Sequence, residues 1–217
     1  MNEHPMPFSN AMIRAILSGR KTQTRRIIPN GLMICLSPED EPETFVEWCK
    51  YGKAGDRLWV REQLRRCQDS EGSISVALYD TDRSPVLMNG RPVEWKWQRN
   101  ILTARFMPRR ASRISLEITR IRVERVQGIQ RDDAKAEGVD GIWDWKGKDD
   151  TRPFERCALN PYVANYSVLW DSLNAGRGYG WSVNPWVWVI EFKRVEVNDN
   201  DAANAGATSE AQRDAIE

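Results

Sequence analysis

The sequence predicts an α+β fold built on a small mixed or antiparallel β-barrel flanked by short helices. Three observations predict it. Segments of strand period are interrupted by short amphipathic stretches. No regular strand–helix–strand alternation runs along the chain, and the last patterned segment is a long apolar run. Such a pattern suits a compact β core with helices at its margin.

Each element follows from local spacing. Ser9 caps "NAMIRAILSG", whose Met12, Ile13, Ile16 and Leu17 share one helical face, and Gly19 is a natural left-handed stop. In "GDRLWVRE" (55–62) a turn feeds a strand, with Leu58 and Val60 alternating with charged neighbours. "SISVALYD" (73–80) and "VEWKWQ" (93–98) are further strand segments, the latter with Trp95 and Trp97 on one face. "SRISLEITRIRVERV" (112–126) alternates through Ile114, Leu116 and Ile118, then shifts phase to Ile121 and Val123, which implies a bulge near Thr119–Arg120. "IQRDDAKAEG" (129–138) is a short helix stopped by Gly138. "NPYVANYSVLWDSLNAG" (160–176) is a longer one with Val163, Tyr166, Trp170 and Leu173 on its apolar face and Gly176 as its stop. "PWVWVIEFKRV" (185–195) closes the domain as a strand buried on both sides.

Hydrophobic residues make up 41% of the 217, enough for a core. No apolar run approaches the roughly 20 residues that span a bilayer, and the start lacks a secretory pattern, so a soluble cytoplasmic protein is expected. Cysteines at 35, 49, 67 and 157 form no C-x-x-C pair, which supports neither zinc nor a redox motif. The single histidine, His4, lies in a start expected to fray. Histidine-based triads and metal sites are thereby excluded, and no metal or cofactor is expected.

Charge is unevenly spread. Residues 196–217 carry net −5 and are expected to be a disordered tail, which leaves about +6 on residues 1–195 for a whole-chain charge of +1. Residues 105–126 hold seven arginines against Glu117 and Glu124. Two readings stand: a phosphate-facing surface, or an ordinary surface whose arginines pair with nearby acids. Trp59, Trp170, Trp186 and Trp188 are expected in the core. Trp143 and Trp145 lie in a polar loop, where they pack onto the body or stack on a base.

"GRKTQTRR" fits G-x-K-x-x-T-x-R through Gly19, Lys21, Thr24 and Arg26. "GDRLWV", "DAKAEG" and "WVIEFK" follow in order. On these residues the chain resembles the ASCH domain, a PUA-like β-barrel family linked to RNA, and its pieces "MPRRASRISLEITRIRVERVQGI" and "GRGYGWSVNPWVWVIEF" look like the larger phage and prophage branch. The likeness implies one domain over 1–195, with insertions at about 63–105 and 140–158. It is similar also to small bacterial N4-acetylcytidine amidohydrolases. That similarity implies catalytic roles for Lys21, Thr24 and Glu137, with Gly19 and Arg26 in the binding motif.

The residues admit two schemes. Lys21 could take the proton of the Thr24 hydroxyl, if burial brings its pKa down from about 10.4. If Glu137 touches Lys21, the lysine is instead an electrostatic clamp, and Glu137 serves as base for Thr24 or a water. Arg26, with Arg109, Arg110 or Arg113, could hold phosphate or carboxylate bidentately. The expected function is hydrolysis of N4-acylated cytidine or a related modified nucleoside. The alternatives are a non-catalytic RNA-binding module and a ribonuclease using the same basic cleft. Partners are therefore a modified nucleoside or RNA, with no membrane, and the oligomeric state is open between monomer and weak dimer.

Overall fold

A computed structural model describes residues 1–33, 42–68, 75–140 and 160–195. The loop expected over most of 140–158, with Trp143 and Trp145, lies outside them, as do Cys35, Cys157 and the acidic tail. The class is α+β. The chain divides into two units: Met1–Arg14, Asp56–Glu117 and Arg194–Glu217 form the first, Ala15–Gly55 and Ile118–Lys193 the second.

In the first unit, β1 (Glu3–Pro7) runs parallel to β3 (Arg57–Arg61), and β3 pairs antiparallel with the start of β9 (Ser115–Arg125). The frayed start is thus corrected to a strand. Pro5 and Pro7 lack N–H donors and suit an edge, and among the described residues β1 has β3 as its single neighbour. Asn2 donates its backbone N–H to Asp56 Oδ1 at 2.7 Å, which ties the strand down. β4 (Leu64–Gln68) pairs with β5 (Ser75–Tyr79) and β8 (Ile101–Leu102), and β6 (Leu87–Met88) with β7 (Arg91–Pro92). Leu64, Ala77, Tyr79, Val86, Trp95, Leu102 and Met107 form their core. The strand expected over 93–98 is reduced to a bridge between Glu94 and Val76. The Trp95 indole N–H donates to the Arg99 carbonyl at 3.0 Å, across the bend that follows the bridge.

α1 (Asn10–Leu17) follows Ser9 as expected, and Gly19 takes φ +74° at its end. In the second unit, β2 (Gln23–Ile27) pairs antiparallel with β10 (Trp186–Val195). α2 (Asn30–Met33), α3 (Arg131–Ala136) and α4 (Pro161–Asn174) are its helices. Val126, Ile129, Ala134, Val163, Tyr166, Trp170, Trp181, Val187 and Val189 make one core. Asn160 caps α4 by accepting from the Tyr162 N–H, and Pro161 occupies the first turn. Leu173, placed on the apolar face by its spacing, is instead exposed, and the left-handed residue after this helix is Gly178 rather than Gly176. Along β9, burial passes from Leu116 and Ile118 to Ile121 through exposed Thr119 and Arg120, where the phase shift was expected.

No closed barrel is seen among the described residues. The ladders leave β1 and β2 each with one partner strand. No described helix is long and apolar enough to cross a membrane. Cys49 and Cys67 are free thiols, and burial pushes Cys49 up to about 11. Cys49 is therefore expected to resist iodoacetamide at pH 8 in the native protein and to label on unfolding, as read by peptide mass spectrometry. Rapid native labelling would contradict its burial.

Candidate active site

The site is assembled within the second unit from β2, α3, β9 and β10. Lys21 and Glu137 face each other across an isolated antiparallel bridge. The Thr22 N–H donates to Ala136 O and the Phe192 N–H to Thr22 O, both at 2.8 Å, so this stretch is sewn between α3 and β10. Glu137 is the C-cap of α3, and Gly138 follows at φ +83°. A Cβ on Gly138 would stand 2.8 Å from the Ala15 Cβ and 3.0 Å from the Lys21 Cβ. Gly138→Ala combines a left-handed strain with that crowding, and is expected to cost about 2 kcal/mol or more in urea unfolding. An unchanged midpoint would show that the turn has room to spare.

The Lys21 side chain is fully buried. Its Nζ donates to Gln23 O at 2.7 Å, Glu137 O at 2.9 Å and Glu137 Oε2 at 2.8 Å. Three acceptors for three N–H bonds are the complement of an ammonium ion. Burial pulls the lysine below its ordinary pKa, and the Glu137 carboxylate opposes that pull. Arg25 reaches the other oxygen, with Nη1 3.3 Å from Glu137 Oε1. Its Nη2 lies 3.0 Å from Glu124 Oε2 and 3.3 Å from Asp133 Oδ2. Arg122 binds Glu124, Glu191 and Asp133, the last at 2.7 Å. Three cations and four carboxylates thus interlock.

Thr24 is buried on β2 and pairs in register with Ile190. By strand alternation it lies on the opposite face from Gln23 and Arg25, the face that meets Glu137 and Asp133. Arg26 is half-buried. Desolvation lowers its pKa, while Tyr51, Glu137 and Tyr166 pull the other way. Beside the Lys21–Glu137 bridge lies an open cleft of about 440 Å³. Thr22, Gln23 and Ala136 line it with Asp132, Asp133 and Glu191, and no cation is among its lining residues.

The other sequence-nominated arginines belong to the first unit. Arg109 grips Glu3 bidentately at 2.8 and 2.9 Å. Arg113 grips Glu62 in the same way at 2.8 and 2.9 Å and meets Asp82 at 2.7 Å. Arg110 is exposed. Of the two readings of this basic stretch, pairing with acids describes Arg109 and Arg113. Burial raises the Asp82 carboxyl, but hydrogen bonds from Arg113 and Ser84 outweigh it and hold the group at about 2. Since the free carboxyl titrates near about 3.9, this contact supports folding above roughly pH 4 and loses that support as pH falls toward 2. Asp82→Asn is expected to flatten that part of the acid unfolding curve, and an unaltered curve would refute the linkage.

Arg25, Glu124, Asp133, Arg122 and Glu191 were not singled out from sequence. One signal was present: Lys21, Gln23 and Arg25 recur at period two, and Asp133 precedes Glu137 by one helical turn.

No family model matches the chain, and no curated protein matches it. Among solved structures, the crystal structure of protein EF3133 from Enterococcus faecalis V583, described by family model DUF984, is similar over 91% of this chain and 83% of that one. The two share 11% identity at a TM-score of 0.42. Likeness of that degree assigns neither family nor chemistry.

Proposed function

We propose that this chain is a PUA-like amidohydrolase that hydrolyses the N4-acyl amide of acylated cytidine or a related modified nucleoside. The observation that supports the reading is the 2.8 Å contact between Lys21 Nζ and Glu137 Oε2, two groups 116 positions apart and both buried, each one position from a residue, Thr22 or Ala136, that lines a nucleoside-sized cleft. With its three N–H bonds committed, Lys21 acts as a fixed cation and Glu137 as the base. Glu137 takes a proton from water as the water oxygen bonds to the acyl carbon. The carbonyl electron pair moves onto oxygen, near the Lys21 charge. Collapse breaks the C–N4 bond while Glu137 returns its proton to N4, releasing a carboxylic acid and cytidine. Thr24, on the other face of β2, takes no step in this scheme.

Asp132, Asp133 and Glu191 in the cleft favour a ligand without phosphate over an RNA strand. N4-acetylcytidine is therefore expected to be turned over faster than its 5′-monophosphate, the difference narrowing as salt rises. Chromatography of N4-acetylcytidine incubated with the pure protein tests the reaction. Cytidine and acetate are expected in equal amounts. Absence of both at high protein concentration, with RNA retained on a filter, would replace the enzyme by an RNA-binding module.

A further inference from the structure

We infer that Arg25 is a positioning residue, one that fixes the Glu137 carboxylate for the reaction without touching the substrate; the inference rests on the amidohydrolase reading above. Arg25 has no exposed side-chain surface. It approaches Glu137 Oε1 while Lys21 holds Oε2, so each carboxylate oxygen has its own cation. A carboxylate held at both oxygens cannot rotate without breaking two charged contacts.

Arg25 is itself aimed from two directions. Glu124 on β9 accepts a hydrogen bond from its Nη2 and Asp133 on α3 lies 3.3 Å from the same nitrogen, and Arg122 in turn pins both of those acids. The planar guanidinium can span carboxylates from separate elements at once, which a lysine ammonium on a flexible stem does poorly. The Arg25 Nε is buried without a hydrogen-bond partner. The side chain therefore sits where its Nη groups reach the carboxylates, at the expense of its third donor site. Burial lowers the Lys21 pKa, the Glu137 carboxylate opposes that shift, and Arg25 adds only a small like-charge push, so Arg25 acts on the pair through its geometry.

Arg25→Lys keeps the charge and loses the fork. Its kcat on N4-acetylcytidine is expected to fall about tenfold or more, as small misplacements of a reacting group do, with KM within twofold of wild type. Wild-type kcat with an intact fold, or a changed KM at constant kcat, would overturn the inference. A second readout needs no turnover. The Lys21 Nζ protons, observed by nitrogen-15 NMR, are expected to exchange at least tenfold faster with water in Arg25→Lys, because a loosened Glu137 releases one of them. If the wild-type protein shows no turnover, the amidohydrolase reading fails by itself, and this exchange rate alone decides the role of Arg25; an unchanged rate rejects it. Should Arg25→Lys not fold, Glu124→Gln removes one of the two acids that aim Arg25 at a partly exposed position, and the same two measurements apply with the same criteria.

Discussion

Glu137→Ala is expected to unfold about 3–5 kcal/mol more easily than wild type. The substitution leaves the Lys21 ammonium buried without its counter-charge, and the cost of such a bare charge exceeds the net worth of the pair. Arg25 loses one of its three carboxylates as well. Urea unfolding measures the difference, and a loss below about 1 kcal/mol would show that water reaches the pair. The double variant Lys21→Met/Glu137→Leu separates burial from pairing. It removes both charges at similar volume and is expected to recover most of the stability, while remaining inactive. For catalysis the gentler Glu137→Gln is the informative change. It preserves an acceptor for Lys21 but takes no proton from water, so hydrolysis is expected to fall at least about 100-fold with the fold retained. Turnover near wild type in that variant would remove Glu137 from the reaction.

Trp188→Ala is expected to cost a comparable 3–5 kcal/mol or so, for a different reason. Trp188 on β10 is 0% exposed, packs edge-on against Tyr51, and donates its indole N–H to the Phe45 carbonyl at 2.7 Å. Alanine leaves both a cavity and an unsatisfied carbonyl. Trp188→Phe fills most of the space but abandons the hydrogen bond, and about 1–3 kcal/mol is expected from that alone. Equal losses in the two variants would assign the whole effect to the carbonyl and none to packing.

Much of the secondary structure was legible because it is local. The period of 3.6 around Ile13 and Ile16, and the capping of Asn160–Pro161, depend on neighbours within a few positions. The phase slip at Thr119–Arg120 does too. β1 was not legible. Its two prolines and its histidine read as a loose start, and only a parallel partner 54 positions away turns them into an edge strand. Leu173 failed in the other direction. Its spacing matches the buried face of α4, but burial depends on what covers the end of that helix, which helical periodicity does not encode.

The sequence by itself determined which candidate groups are present: an ammonium at Lys21 in a G-x-K-x-x-T-x-R run, a carboxylate at the end of a short helix, and no histidine but His4. The tertiary structure alone decided what those charges do. It put Glu137 against Lys21 and Arg25, and spent Arg109 on Glu3 and Arg113 on Glu62. The physical reason is that a charge's behaviour is set by its distance to partners and to water. Those distances are made by segments that meet from about fifty to more than a hundred residues apart, where composition and spacing carry no record of who stands beside whom.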